Sequence, residues 1–146
     1  MEDRYLFKAK RTDNGEWING DLITTPFVRS ETQENIPYIL DITKADYDCF
    51  EDLSEGNGIF EVDSSTICQC TGLRDKNGKL IWENDITLRT SVTGTHKGKI
   101  IYSSDGSFCQ KDFETTFENL LIHSESYFEV IGNIFDNKEL VENKEN

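Results

Sequence analysis

Four cysteines, two histidines and one close carboxylate pair are the residues from which this sequence would have to assemble chemistry. Cys68 and Cys70 stand two apart, so in an extended strand they project to the same side, and a bridge between them would be badly strained. Cys49 and Cys109 lie far away in sequence, and His96 and His123 stand alone. No C-x-x-C or paired-histidine spacing therefore offers zinc a ligand set, and the cysteines are expected to be free thiols used as small buried hydrophobes. Glu83 and Asp85 are close enough to act as acid and base, but no nucleophile or histidine adjoins them. In Glu83-Asn84-Asp85-Ile86, Asp85 is better suited to accepting backbone N–H bonds in a turn. No G-x-S-x-G, H-E-x-x-H or Cys-His constellation is present, so neither catalytic residues nor a cofactor are expected.

The densest patterning is STICQCTGLRDKNGKLIWENDI, residues 65–86. A phosphate loop G-x-x-x-x-G-K-[ST] is not met, because Gly72 and Gly78 have the wrong interval and Leu80 follows Lys79. Asp75-Lys76-Asn77-Gly78 instead joins two strand-like runs. Asn77 and Gly78 are the residues that a type I′ or a G1-bulge turn requires. Gly72 is expected to permit a bend, Leu73 to pack, and position 84 to need a positive φ. Ile67, Ile81 and Trp82 read as packing residues.

The formal net charge of −13 disfavours nonspecific contact with nucleic acid or an anionic membrane. Within residues 65–112 basic residues slightly outnumber acidic ones, and Arg74, Lys76, Lys79, Lys97 and Lys99 are the candidates there for an anionic or nucleotide-like ligand. The bland reading of the same five is a solvated surface. Trp82, Tyr102 and Phe108 are candidate partner anchors, with core packing as the competing role. The acidic flanks also admit a nucleic-acid mimic that inhibits a host enzyme.

Around these residues the chain reads as β-rich. Asp13-Asn14-Gly15 predicts an N-terminal hairpin, residues 24–37 a loop punctuated by Pro26 and Pro37, and YIL at 38–40 a short strand. Ile42, Ala45, Cys49 and Leu53 fall near helical spacing and predict a short acidic helix ending by Gly56. A calcium loop there lacks the glycine and the terminal glutamate in register. IFEVD, TICQC, KLIWE and DITLR read as strands, and GKIIYSSDGSF as a hairpin turning at Asp105-Gly106. Phe113, Phe117, Leu120 and Leu121, with Asp112 as N-cap, predict a second, amphipathic helix. SYFEVIGNIFD returns as a strand with a bulge or close approach at Gly132.

The predicted class is mainly β (α+β): an SH3-like β-barrel element with an N-terminal β-hairpin and one or two short helices. Residues 1–146 form one domain, with a possible division into an N-terminal lobe 1–60 packed on a barrel lobe 61–136, and 137–146 as a flexible tail. Met1-Glu2-Asp3-Arg4 is unlike a signal peptide, and no run approaches a membrane span, so a cytoplasmic protein is expected.

The stretch TICQCTGLRDKNGKLIWENDITL closely resembles the signature of the YopX family, small proteins encoded by phages and prophages. FKAKRTDNGEWINGDLI and YFEVIGNIFDNKELV resemble it too. Cys70 stands where that signature has an aromatic, Cys68 where Gly is common, Trp82 where Tyr is common, and Asn84 where Gly is usual. The resemblance implies the barrel element and a phage or prophage origin, but no reaction, and it transfers no catalytic residue. The function expected is that of a noncatalytic accessory protein acting on a protein partner or as a homo-oligomer, without direct nucleic-acid or membrane binding.

Overall fold

A computed structural model describes residues 5–24, 36–41, 43, 54–55 and 57–141, which form two compact units, Tyr5–Gln69 and a second beginning at Cys70. The division falls inside a strand rather than at residue 60. The helix expected around Ala45, Cys49 and Leu53, Pro26 of the loop, and the last five residues lie outside the described residues.

In the first unit β1 (Phe7–Lys10) and β2 (Trp17–Ile23) form the expected hairpin, with Gly15 at φ 72° and its N–H bonded to Arg11 O. β2 continues to β3 (Tyr38–Leu40) and then β5 (Gly58–Glu61), all antiparallel, while β4 (Ser54–Glu55) adds in parallel to β5. After a 3-10 turn at Ser64–Thr66, the start of β6 (Cys68–Arg74) pairs with β1. Alternation along these strands buries Ala9, Ile18, Ile39, Phe60 and Val62 as one cluster, with Ile67 packed against it as expected.

The second unit begins as β6 passes Cys70. Gly72, at φ 78°, bends the strand, and the register with β7 (Leu80–Trp82) shifts between Cys70 and Arg74. That bend turns Leu73 outwards: it is 41% exposed, which corrects the expectation that it packs, whereas Ile81 and Trp82 are buried. Five further strands follow in the order β11-β10-β9-β8-β12: β8 (Asp85–Ser91), β9 (Gly94–Tyr102), β10 (Phe108–Asp112), β11 (Glu118–Leu120) and β12 (Phe128–Asn133). β11 and β12 are the end strands of this order, so this sheet does not close into a barrel. Ile81, Ile100, Leu121 and Phe128 form its apolar cluster. Full burial of a side chain such as Phe128 contributes about 2–3 kcal/mol.

The helix expected over Phe113, Phe117, Leu120 and Leu121 is not formed. Asp112 does accept bonds from the N–H groups of Glu114 and Thr115, as an N-cap would, but Thr116 then adopts φ 62° and the chain reverses. β11 pairs back on β10, Gln110 opposite Asn119, leaving Phe117 and Leu120 exposed. Two successive β-branched threonines are poor helix formers, and strand pairing overrides the apolar spacing. The helical turn instead sits at α1 (Ser124–Tyr127). Gly132 closes a bulge, as expected, where the register shifts between Val130 and Gly132, and a Cβ there would meet Asn137 Oδ1 at 2.5 Å. The tail, expected to fray from Asn137, begins with a turn of helix, α2 (Lys138–Val141).

Asn84 has φ 69°, its N–H bonds Ile100 O and its C=O accepts from Ile134 N–H. Replacement by valine, which strongly resists the left-handed region, is expected to cost about 1–2 kcal/mol, against less than about 1 kcal/mol for glycine. Urea unfolding midpoints of the two variants check the order.

Candidate functional site

The sequence-derived cations do not assemble into one site. Arg74 Nη1 donates to Gly78 O at 2.8 Å, and Lys76 Nζ lies 3.3 Å from Glu129 Oε2. Lys79 stands exposed at the hairpin, where its N–H bonds Asp75 Oδ1. Lys97 and Lys99 alternate along β9 opposite Leu88 and Ile86. Among these five, the described cavities bring only Lys97 to a wall.

The family-like turn is built by carboxylates accepting from the backbone. Asp75, 2% exposed, takes N–H bonds from Asn77 and Lys79 on Oδ1 and from Val130 on Oδ2. Burial pushes its carboxyl up, but the N–H groups of Val130, Lys79 and Asn77, with the Lys79 charge, outweigh that and hold it below the usual range. Gly78 at φ 79°, with its N–H on Asp75 O, makes the G1-bulge form of the turn, and Asn77 keeps a negative φ. Asp85, 3% exposed, accepts from Trp82 N–H at 2.8 Å, the turn role its spacing predicts. Trp82 is buried, Tyr102 is 55% exposed, and Phe108 is half-buried with its ring edge-on to Tyr102 at 5.0 Å.

Cys68, Cys70 and Cys109 are buried thiols. Burial raises the Cys109 thiol pKa and the charges of Glu118 and Asp105 add to it, so the thiol stays protonated and unreactive. No group of three or more potential metal-ligating side chains occurs among the described residues.

What the sequence does not reveal is a polar cluster on one face of β8, β9 and β10. Gln110 and Thr87 are fully buried. Gln110 Nε2 donates to Thr87 O, Thr87 Oγ1 and His96 O at 3.0–3.2 Å, and its Oε1 accepts from Arg89 Nε at 3.3 Å. Beside it, His96 Nδ1 lies 3.5 Å from Asp112 Oδ2, and His96 Nε2 meets Thr93 Oγ1 at 2.8 Å and Ser91 Oγ at 3.2 Å. Burial raises the Asp112 carboxyl, yet the N–H groups of Thr115 and Glu114, then the charges of His96 and Arg89, bring it below the ordinary value. An ionised Asp112 can only accept, so it favours a proton on the His96 Nδ1 that faces it.

Hydroxyl, imidazole and carboxylate in that order are the parts of a nucleophile relay. The hydroxyls, however, sit at the β8–β9 hairpin tip. The adjacent pocket, about 120 Å³, is walled by His96, Lys97, Asp112 and Phe113 and not by Ser91 or Thr93. The hydroxyls therefore lie outside that cavity, and their bonds to His96 tie the β8–β9 hairpin tip together.

Of this cluster Arg89 also reaches a larger groove, about 430 Å³, lined by Arg89 and Thr90 of β8, Glu118, Asn119 and Leu120 of β11, and Ile122, His123, Tyr127 and Phe128. Two features distinguish it. Asn119 Nδ2 is buried and has no hydrogen-bond partner among the described residues, a state that costs about 1–3 kcal/mol. Leu120, Ile122 and Tyr127 are 50–60% exposed.

β11 also offers backbone. Ser103 N–H bonds Ser107 O in the β9–β10 hairpin, and that register directs the backbone of Cys109 and Lys111 to β9 and of Gln110 and Asp112 to β11. The Asp112 N–H bond to Phe117 O agrees. Asn119 therefore completes the ladder, while Glu118 and Leu120 turn their N–H and C=O groups to the open edge.

Sequence reasoning missed Arg89, Gln110 and Asn119, which stand on three different strands. No local signal marked them: Gln110 is told from a surface residue only by its register opposite the buried Ile100. In a first cavity of the N-terminal unit, by contrast, Arg11 is already bonded to Asp13 and stacked 4.4 Å over Phe60.

Comparison with known proteins places these features in context. A sequence model of the YopX family, described as YopX protein, matches residues 6–142. The crystal structure of protein EF1440 from Enterococcus faecalis is similar, with 26% identity and a TM-score of 0.52, covering 93% of this chain and 96% of that one. No curated protein matches the chain.

Proposed function

Because the chain belongs to the YopX family, and its second unit leaves one sheet edge open beside a groove, we propose that it is a noncatalytic protein-interaction module that receives an extended segment of a partner on β11. The outward N–H and C=O groups of Glu118 and Leu120 carry this reading. A strand laid there gains main-chain hydrogen bonds, and Leu120, Ile122 and Tyr127 receive its side chains. The apolar anchors are thus Leu120, Ile122 and Tyr127 rather than Trp82, which is buried. An accessory role in phage or prophage biology, an SH3-like nature for the five-stranded sheet and action in the bacterial cytosol rest on the family resemblance. No helix among the described residues is long and apolar enough to cross a membrane.

Proline at position 120 removes an outward N–H and no ladder bond, so the sheet is expected to survive it. A photo-crosslinker placed at Ile122 should capture a discrete partner segment, and Leu120→Pro should abolish that capture with Tm within a few degrees of the parent. Capture that persists in Leu120→Pro at undiminished yield would remove β11 from the binding site.

A further inference from the structure

Resting on that reading of β11, we infer that the segment bound is the C-terminal tail of a partner protein, apolar in its last residues, with its terminal carboxylate held by Arg89 and Asn119. Three observations lead there.

The first is the donor set. Arg89 spends Nε on Gln110 Oε1 and makes no other hydrogen bond among the described residues, so its Nη groups remain for a ligand. Asn119 Nδ2 is buried on the same groove without an acceptor. A guanidinium beside an unpaired amide donor fits a planar, two-oxygen acceptor. Gln110 is fully buried and bonded at both ends of its amide, which fixes the direction from which Arg89 approaches.

The second is the shape of the groove. β11 forms one wall, and Arg89, Thr90 and Phe128 form the other. Residues 121–127 carry the chain directly from one wall to the other and so join them at one end. A chain extended along β11 towards that end meets Ile122, His123 and Tyr127, which suits a terminus better than the middle of a strand.

The third is charge. At a net −13 this protein repels an acidic tail at long range. One terminal carboxylate, approached along apolar residues that match Leu120, Ile122 and Tyr127, satisfies Arg89 with the least added negative charge.

The probe is a library of eight-residue peptides displayed with free C-termini and selected on the full chain. The best binder is then synthesised as the free acid and as the C-terminal amide and measured by fluorescence polarisation. Amidation is expected to weaken binding at least about tenfold, as for the loss of a charge-assisted pair. Arg89→Gln should erase most of that difference. Asn119→Ala, which removes an Nδ2 that bonds nothing among the described residues, should reduce it without lowering Tm. Leu120→Pro should weaken acid and amide equally. If acid and amide bind alike and both need Leu120, the carboxylate inference falls while the edge-strand reading stands. If no selected peptide depends on Leu120, both fall.

Discussion

Replacing Asp75 with alanine is expected to lower stability by about 3–5 kcal/mol, since three backbone donors lose their buried acceptor together. The donors are Asn77 and Lys79 within the turn and Val130, fifty-five residues further on, so the carboxylate ties the β6–β7 hairpin to β12. Lys76 N–H adds a backbone bond to Phe128 O at the same seam. Asp75→Asn keeps one acceptor oxygen and should lose less. The pH dependence has a definite sign. The folded carboxyl is depressed, so its contribution is fully present above the unfolded value near ~3.9 and is lost as pH falls through the folded value. Asp112 is depressed likewise and adds in the same direction. Urea unfolding at pH 7 and at pH 3 should show a marked acid loss for the parent and a smaller one for Asp75→Asn. An acid loss of equal size in both would remove Asp75 from the account.

Gln110→Leu is expected to cost about 2–4 kcal/mol, because the carbonyls of Thr87 and His96 lose a shared donor in a site closed to water. Leucine matches the volume, so the loss reports hydrogen bonding rather than a cavity. Gln110→Glu offers Arg89 a carboxylate but places oxygens against those two carbonyls, and it should be at least as damaging at pH 7. Thermal unfolding of the two variants orders them, with hydrogen exchange at Thr87 and His96 as a local readout. A Gln110→Leu protein as stable as its parent would show that the cluster does not depend on this side chain. Since Gln110 aims Arg89 into the groove, the same substitution should also blunt recognition of a terminal carboxylate.

Local chemistry was legible wherever one residue type decides one backbone conformation. Asn14-Gly15, Asp75 to Gly78 and Asp105-Gly106 turn as read, and Asn84 takes the positive φ that its family position demands. The alternation of apolar residues gave a mainly β chain, and the spacing of Cys68 and Cys70 gave two buried thiols on a strand. The motifs gave the family.

Where the sequence misled, a local pattern competed with distant partners. Phe113, Phe117, Leu120 and Leu121 keep helical spacing, yet pairing with Cys109, Gln110 and Lys111 draws Glu118–Leu120 into a strand. Leu73 is apolar, yet the bend at Gly72 turns it out.

By itself, then, the sequence determined the turns, the strand-rich class and the family, because φ preferences and side-chain-to-backbone bonds act within two to four residues. Only the tertiary structure decided the site. Arg89, Gln110 and Asn119 lie on three different strands, and each looks like an ordinary surface residue until strand register brings them to one face. A buried donor such as Asn119 Nδ2 is defined by what fails to approach it, and that is a property of packing which no run of neighbouring residues contains.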